Sequence, residues 1–248
     1  RGFINFLRTA KNRRLKSEER TISNCTGLQT QAVFAAALNT ALRDGIIERN
    51  PMTLLTSKER FHQQESTRVY LTIDELKRMM ATPCDDGELK KAFLFACFTG
   101  LRLSDICTFT WNKVLTTPND SARYIRVRML KTQQVVNVPL SKDALGYLRE
   151  TEDGDEPIFR LSSAASVIEQ RLAEWAKKAG IEKHVTFHVS RHSYATMMLT
   201  IGVDIYTVSK LLGHKNVATT QIYAKIIDQK KIDAVNMMDR FFGKDRQA

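Results

Sequence analysis

The sequence has few cysteines and no long apolar run, and both absences narrow the class of protein. Its 248 residues include four cysteines, none in a C-x-x-C pair, so we interpret them as small core residues in a reducing compartment. No apolar stretch approaches the roughly 20 residues of a membrane-spanning helix, and residues 1–14 lack the apolar core of a signal peptide. We therefore expect a cytoplasmic protein with no membrane partner.

Sequence patterns for nucleotide and metal sites are also missing. The chain contains no G-x-x-x-x-G-K-[ST] loop that would cradle the phosphates of ATP. His188 and His192 are four residues apart on a predicted helix, which is one spacing for zinc ligands, but the zincin pattern needs Glu where Val189 stands. A guanidinium from Arg191 beside a dication would also be unfavourable. The sequence therefore predicts neither a metal site nor a cofactor.

Positive charge, by contrast, is abundant. The chain has 38 lysines and arginines against 27 aspartates and glutamates, a net charge of +11, which attracts polyanions such as nucleic acid. Near the start of the chain, cations follow one another at Arg8, Lys11, Arg13, Arg14, Lys16 and Arg20. Such a run is either a solvated face or a surface that follows a phosphate backbone, and the residues alone leave both readings open.

Apolar periodicity divides the chain into a small helical unit and a larger one. Residues 1–55 carry apolar residues at helical spacing. They open in the middle of a predicted helix, which indicates an N-terminal truncation. Residues 56–70 contain a polar stretch whose one large apolar residue is Phe61, so we predict a linker there. Residues 71–248 form the predicted larger unit.

The larger unit is predicted to be mainly α with a small antiparallel β-sheet, an α+β fold. Thr72 followed by Glu75 forms a capping box, so a helix begins there. The apolar segment ELKKAFLFACF predicts a second helix that ends at Gly100. The alternating segments RYIRVRML and QQVVNVPL predict a hairpin with Lys131 at or near its tip. Later helical patterns end at Gly180, Gly202 and Gly213.

Several polar residues interrupt the apolar helices and suggest a binding site. Arg102 follows the most apolar helix and needs an anionic partner. If Arg102 has only a structural role, Asp105 could be that partner. Arg191 lies within another partly apolar helix, and His214 follows a helix-ending glycine. Brought together with Lys131, these cations would bind a phosphodiester, because a guanidinium donates two hydrogen bonds to its oxygens and stays charged.

Tyr223 follows His214 by nine residues in LLGHKNVATTQIYAK, at a position that looks accessible. It is either a tyrosine that packs its ring and shows its hydroxyl to water, or a nucleophile. Ionising a free phenol at neutral pH costs on the order of 4 kcal/mol. A cationic pocket would offset part of that cost and stabilise the charge of a pentacoordinate transition state.

The ordered motifs TGLRLSD, MLKTQQVVNVPL, HVSRH, LLGH and TTQIYAK resemble the tyrosine recombinase (phage integrase) family. The resemblance covers residues 71–226, and the segment with GIIERNP resembles the family's small helical core-binding, DNA-binding domain. Each motif alone is weak, but five in this order are specific. The resemblance implies a tyrosine recombinase catalytic fold at 71–248, with a C-terminal tail helix, preceded by that domain at 1–55.

The resemblance also implies which residues contact the phosphate. Arg102 and Arg191 would hold the scissile phosphate, and His188 would be a proton acceptor or a phosphate ligand. His214 would make a further phosphate contact. The basic run before residue 21 would contribute to DNA binding.

The remaining matched residues receive other roles from the resemblance. Tyr223 would be the nucleophile that forms a 3′-phosphotyrosyl link, and Lys131 would be the general acid for the leaving 5′ oxygen. Asp105 would brace the site, and His192 would be structural.

Taken as a whole, the resemblance implies a site-specific DNA recombinase, the integrase of a mobile element, that needs neither metal nor ATP. Its partners would be double-stranded DNA at specific sites, other copies of the chain in a tetramer, and accessory DNA-bending proteins at a bacterial-type nucleoid. A tail with Val235, Met238 and Phe242 at helical spacing would pack either on its own domain or on a neighbouring copy. The alternatives are a non-cleaving DNA-binding protein of the same fold and a type IB topoisomerase-like relaxing enzyme.

Overall fold

A computed structural model of the chain describes residues 1–12, 21–62, 68–117, 122–149 and 154–223. Contacts divide the chain into two units, Arg1–Ser66 and Thr67–Ala248. No helix in the described parts is long and apolar enough to cross a lipid bilayer. The predicted roles of the two units as core-binding and catalytic domains stay predictions.

Some expectations fall on residues outside these ranges. They concern the tail helix and part of the basic run, namely Val235, Met238, Phe242, Arg13, Arg14, Lys16 and Arg20.

The described residues of the first unit contain two helices, α1 (Gly2–Thr9) and α2 (Asn24–Arg43). The Ser23 side chain caps α2 by accepting a hydrogen bond from the backbone N–H of Thr26 at 3.1 Å. Two 3₁₀ turns follow, at Pro51–Leu54 and Ser57–Glu59. The unit's small core consists of Ile4, Leu7, Leu55 and Phe61.

Phe61 belongs to that core, although the sequence placed it in a linker. Its side chain is 8% exposed, and its backbone N–H donates to the side-chain oxygen of Gln31 at 2.9 Å. Gly27 of α2 provides the space, because a Cβ there would lie 2.5 Å from the ring. Residues 56–62 therefore pack within the first unit. A polar stretch with one aromatic residue can be buried when a distant helix leaves a gap for it.

The second unit combines seven helices with three strands among its described residues. The helices are α3 (Ile73–Ala81), α4 (Gly87–Thr99), α5 (Leu103–Cys107), α6 (Lys142–Leu145), α7 (Ala165–Lys178), α8 (Phe187–Thr200) and α9 (Ile205–Leu211). The strands are β1 (Val114–Thr116), β2 (Arg123–Arg128) and β3 (Val135–Pro139), antiparallel in the order β1-β2-β3. The predicted fold class is confirmed, and so is the capping box that starts α3.

The core of this unit is built around α4, whose apolar segment from Ala92 onward is buried on most sides. Phe93 meets Trp175 of α7 and Phe187 of α8 edge-on, with ring centroids 5.9 and 5.7 Å apart. This packing fixes α8, which carries three of the predicted site residues, against the end of α4, where Arg102 follows.

The hairpin β2–β3 forms as predicted, with Ile125 opposite Val138 and Val127 opposite Val136. These four side chains are buried, whereas on the other face of β2 Arg126 and Arg128 are exposed and Tyr124 is half-buried. Lys131 lies exposed in the turn between the strands. The hairpin therefore places a lysine at the edge of the unit.

We expect Gly100→Ala to destabilise the protein more than Gly180→Ala. Both glycines follow helices with positive φ, +70° and +68°, so each alanine would cost about 1–2 kcal/mol of backbone strain. Only at Gly100 would the new Cβ overlap neighbours, Tyr194 at 2.6 Å and Leu212 at 2.9 Å; Gly180 has no described atom within 4 Å of its added Cβ. Urea unfolding measures both free energies. Equal losses would contradict this packing.

Candidate active site

Arg191 is the most buried cation of the predicted site, with 2% of its surface exposed. Its Nη1 donates to the carbonyl of Gly100 at 2.7 Å, and its Nη2 donates to the carbonyl of Leu212 at 2.5 Å. These two carbonyls belong to the residues that end α4 and α9. The guanidinium is thus fixed in place, and with five N–H donors it retains capacity to bind an anion.

The charge of Arg191 is not balanced by an ion pair with any described residue. Burial, and then the charge of the neighbouring Arg102, lower the pKa of Arg191 to about 10, although Asp105 acts in the opposite direction. A buried cation of this kind is stabilised by an approaching anion. The pocket is therefore electrostatically prepared for a phosphate.

Arg102 precedes α5 and is partly buried. Its Nη1 is buried and has no hydrogen-bond partner among the described residues. The sequence suggested Asp105 as the anionic partner of Arg102. Asp105 instead accepts a hydrogen bond from the backbone N–H of Leu130 at 2.9 Å. Arg102 therefore keeps a donor that a ligand can use, while Asp105 braces the turn directly before Lys131.

His188 lies on the first turn of α8, where several cations act on the same ring. Partial desolvation lowers its pKa, and so, in decreasing order, do Arg191, Arg102, Arg68 and Lys131. The two predicted arginines and the hairpin lysine therefore all lie within electrostatic range of His188.

His214 follows α9 and points towards the same arginines. Its Nδ1 lies 2.8 Å from the hydroxyl oxygen of Thr220, a buried residue that the sequence did not single out. Burial, then Arg191 and Arg102, lower the pKa of His214 to about 4, so the ring is neutral at pH 7. If the Thr220 hydroxyl donates to Nδ1, the other ring nitrogen carries the proton and can donate to a phosphate oxygen.

Tyr223 lies in a 3₁₀ turn, Gln221–Tyr223, and is 4% exposed. The sequence suggested an accessible side chain, and this expectation is wrong for the described conformation. The ring packs in a cluster with Tyr194, Leu199, Val208 and Leu212. Burying an aromatic ring is favourable as long as its hydroxyl finds a hydrogen-bond partner.

The hydroxyl's partner is His192, to which the sequence gave only a structural role. The Nδ1 atom of His192 lies 2.6 Å from the Tyr223 oxygen, and His192 is 8% exposed. The His192 ring also meets the His188 ring edge-on, with centroids 4.6 Å apart. The second histidine of HVSRH therefore connects Tyr223 with His188.

The electrostatics of Tyr223 combine two opposing effects. Burial raises the pKa of its phenol, whereas Arg191, Arg68 and Arg102 lower it, and the net direction is upward. The phenol is therefore protonated at neutral pH. The three arginines would nevertheless stabilise a phenolate that forms during a reaction.

The sequence matches the phage integrase family over residues 69–230. The chain belongs to this family. The match covers more than half of the chain and includes every predicted site residue of the second unit. The family expected from the sequence is thereby confirmed.

Individual members of the phage integrase family resemble the chain at moderate identity. A tyrosine recombinase of Thermosipho africanus is 32% identical over 204 residues, which cover 78% of this chain and 69% of that protein. A XerA recombinase crystal structure is 27% identical with a TM-score of 0.53, covering 69% of this chain and 66% of that one. The chain spans between 50% and 69% of the length of the curated relatives it matches first.

A crystal structure of a lambda integrase dimer bound to a core site shows the same fold. It is 21% identical with a TM-score of 0.62, and covers 81% of this chain and 73% of that chain. The predominantly helical fold with a small sheet is thus that of the integrase family.

Arg68 is a residue of this integrase that the sequence analysis missed. Its charge lowers the pKa values of His188, His192 and Tyr223. Its segment is tied to α8 because the backbone N–H of Leu71 donates to the Ser193 hydroxyl at 2.8 Å. No pattern in the sequence distinguishes Arg68 from an ordinary linker arginine.

Two predicted DNA-binding cations lie in the described part of the first unit. Arg8 donates to the carbonyl of Glu59 at 3.2 Å and lies 5.0 Å from the centroid of the Phe61 ring. Lys11 is exposed. Arg8 therefore has a structural role inside its unit, and DNA contact by either residue stays a prediction.

Proposed function

We propose that the protein is a site-specific DNA recombinase, the integrase of a mobile element, which cleaves and rejoins strands through a 3′-phosphotyrosyl intermediate. The observation that carries the proposal is the position of Tyr223 near Arg102 and Arg191, neither of which forms an ion pair with a described carboxylate. A tyrosine next to such a pocket is suited to attack a phosphodiester. The family supports recombination as the reaction class.

In this proposal the phosphate is held by groups from three parts of the second unit. Arg102 contributes its unpaired Nη1, Arg191 its remaining donors, and His214 a ring N–H. His188 is a further phosphate ligand or proton acceptor at the pocket's edge. These donors stabilise the additional charge of the pentacoordinate transition state, which is often the largest contribution to catalysis.

Lys131 is the proposed general acid for the leaving 5′ oxygen. It lies in the hairpin turn, and Asp105 holds the neighbouring backbone N–H of Leu130. The phosphodiester's energy is retained in the bond between Tyr223 and the DNA 3′ end. Religation to another strand then requires neither ATP nor a metal ion.

The distribution of charge on the second unit supports DNA as the partner. Six cations of this unit form ion pairs with described carboxylates, among them Arg171 with Asp86, Lys178 with Asp85 and Lys183 with Glu75. Arg126 and Arg128, exposed on β2, have no ion-pair partner among the described residues. The hairpin is thus a cationic surface next to the pocket, on which a duplex can dock.

The assembly proposed for the reaction is a tetramer of the chain on specific duplex sites, with accessory DNA-bending proteins. It would act in the cytoplasm, at the nucleoid. The lambda integrase structure contains a dimer bound to a core site, which supports DNA-bound association of copies here.

The decisive experiment is incubation with nicked suicide duplexes that tile the DNA flanking the encoding gene. We expect a covalent protein–DNA adduct on one of these duplexes, with the DNA mapped to Tyr223. Binding without any adduct would favour the non-cleaving alternative. Relaxation of supercoiled plasmid without site preference would favour the topoisomerase-like alternative.

We expect duplex binding to weaken steeply with salt, because Lys and Arg displace counterions from phosphates. Six or more phosphate contacts would lower affinity about 10³-fold or more between about 50 and 200 mM salt. Replacing Arg126 and Arg128 with Gln should reduce the slope measured by fluorescence anisotropy, whereas Arg171→Gln should not. A flat salt response would contradict docking on this surface.

A further inference from the structure

The hydrogen bond between Tyr223 and His192 has no place in the roles described so far. Helix α8 and the 3₁₀ turn at Gln221–Tyr223 bring the two side chains together, and both side chains are nearly excluded from solvent. The hydroxyl belongs to the proposed nucleophile, whose proton must leave as it attacks phosphorus. His192 Nδ1, at 2.6 Å, is within reach of that proton.

We propose that His192 is the proton acceptor for Tyr223 during DNA cleavage. The inference rests on the proposed function and deepens it, since it assigns the first proton transfer to a residue without an assigned catalytic role. His188 is the other candidate, but its described contact is with the His192 ring rather than with the hydroxyl. His188 remains available to bind the phosphate.

The O–H bond of Tyr223 breaks and its proton moves to Nδ1 of His192, which becomes an imidazolium. The phenolic oxygen forms a bond to phosphorus, and the bond from phosphorus to the 5′ oxygen breaks. The leaving 5′ oxygen takes a proton from Lys131. Religation returns the proton from His192 to the phenol.

The surroundings of His192 explain why the proton stays on the tyrosine until DNA arrives. Burial, and then the groups that face the ring, namely His188, Arg68, Arg191 and His214, lower the pKa of His192 to about 4. A bound phosphate anion offsets the charge of these cations and so raises the pKa of His192. Substrate binding therefore makes the base stronger at the moment when it is needed.

The first test determines which ring nitrogen of His192 carries the hydrogen in the unsubstituted protein. Nitrogen NMR of histidine-labelled protein distinguishes a ring nitrogen that carries hydrogen from one that accepts it. We expect His192 Nδ1 to be an acceptor, with the hydrogen on Nε2. A hydrogen on Nδ1 would overturn the inference, because that nitrogen would donate to the tyrosine and could not take its proton.

The second test is His192→Asn, which preserves a hydrogen-bond acceptor for the hydroxyl but not a base. We expect single-turnover cleavage of the suicide duplex to fall about 10²-fold or more, with unchanged DNA affinity. His184→Asn is the matched control, since His184 is exposed in the same unit and outside the pocket. Cleavage by His192→Asn at the original rate would overturn the inference.

The third test separates proton transfer from mere positioning. Fluorination of Tyr223 lowers the phenol pKa and reduces its need for a base. In the His192→Asn variant, fluorination should raise the cleavage rate about tenfold. In the protein with His192 intact, fluorination should change the cleavage rate little. The same small effect in both backgrounds would show a positioning role and overturn the inference. If the original chain forms no adduct at all, the proposed function fails instead.

Discussion

Tyr223→Phe is expected to abolish covalent attachment to DNA while leaving duplex affinity nearly intact. The variant keeps the buried ring and removes the oxygen that would bond to phosphorus. It leaves His192 Nδ1 without its partner, which should reduce folding stability by about 1–3 kcal/mol. Gel analysis of the suicide duplex and fluorescence anisotropy measure the two DNA properties separately.

The matched control for this substitution is Tyr206→Phe. Tyr206 lies on α9 with 58% of its surface exposed, so its hydroxyl can be removed without disturbing the pocket. Its variant should form the adduct at the original rate. Adduct formation by Tyr223→Phe would show that another residue is the nucleophile.

Arg102→Lys should lower cleavage about 10²- to 10³-fold, the loss typical of removing one donor from a developing charge. Lysine keeps the charge but loses the planar fork that matches phosphate oxygens. Folding stability should change little, because Nη1 of Arg102 has no partner among the described residues. Single-turnover cleavage and urea unfolding test the two halves of this prediction.

Arg171→Lys provides the comparison for Arg102→Lys. Arg171 lies exposed on α7, paired with Asp86 at 2.7 Å, and its replacement should affect neither cleavage nor stability appreciably. If Arg102→Lys cleaves as fast as this control, Arg102 does not contact the phosphate and the assignment of the pocket is wrong.

The helices of the second unit could be predicted because their ends are determined locally. The capping box of Thr72 and Glu75 begins α3, and the left-handed Gly100 ends α4. The two strands of the main hairpin alternate clearly enough to be recognised. Strand β1 (Val114–Thr116) was missed, because three residues are too few to show a period.

The site residues were predicted through the family resemblance, but their contacts were not. The hydrogen bond between His192 and Tyr223 joins residues 31 positions apart. No local sequence pattern predicts a contact over that separation. Arg68 was missed for the same reason, since its effect on the pocket depends on how its segment is anchored. Sequence motifs identified the chemical groups, while the packing of distant segments determines which group touches which.

The attachment of Arg191 to the terminal carbonyls of α4 and α9 gives it a structural role in addition to its proposed role as a phosphate ligand. A lineage that abandoned strand cleavage but still needed to bind its sites could discard Arg102 or the Tyr223 hydroxyl and retain its architecture. It could not discard Arg191 so easily, because two helix ends would lose their common anchor. In inactive descendants of such a chain, we therefore expect substitutions at Arg102 and Tyr223 first. Arg191 should be retained longer, because its structural role does not depend on strand cleavage.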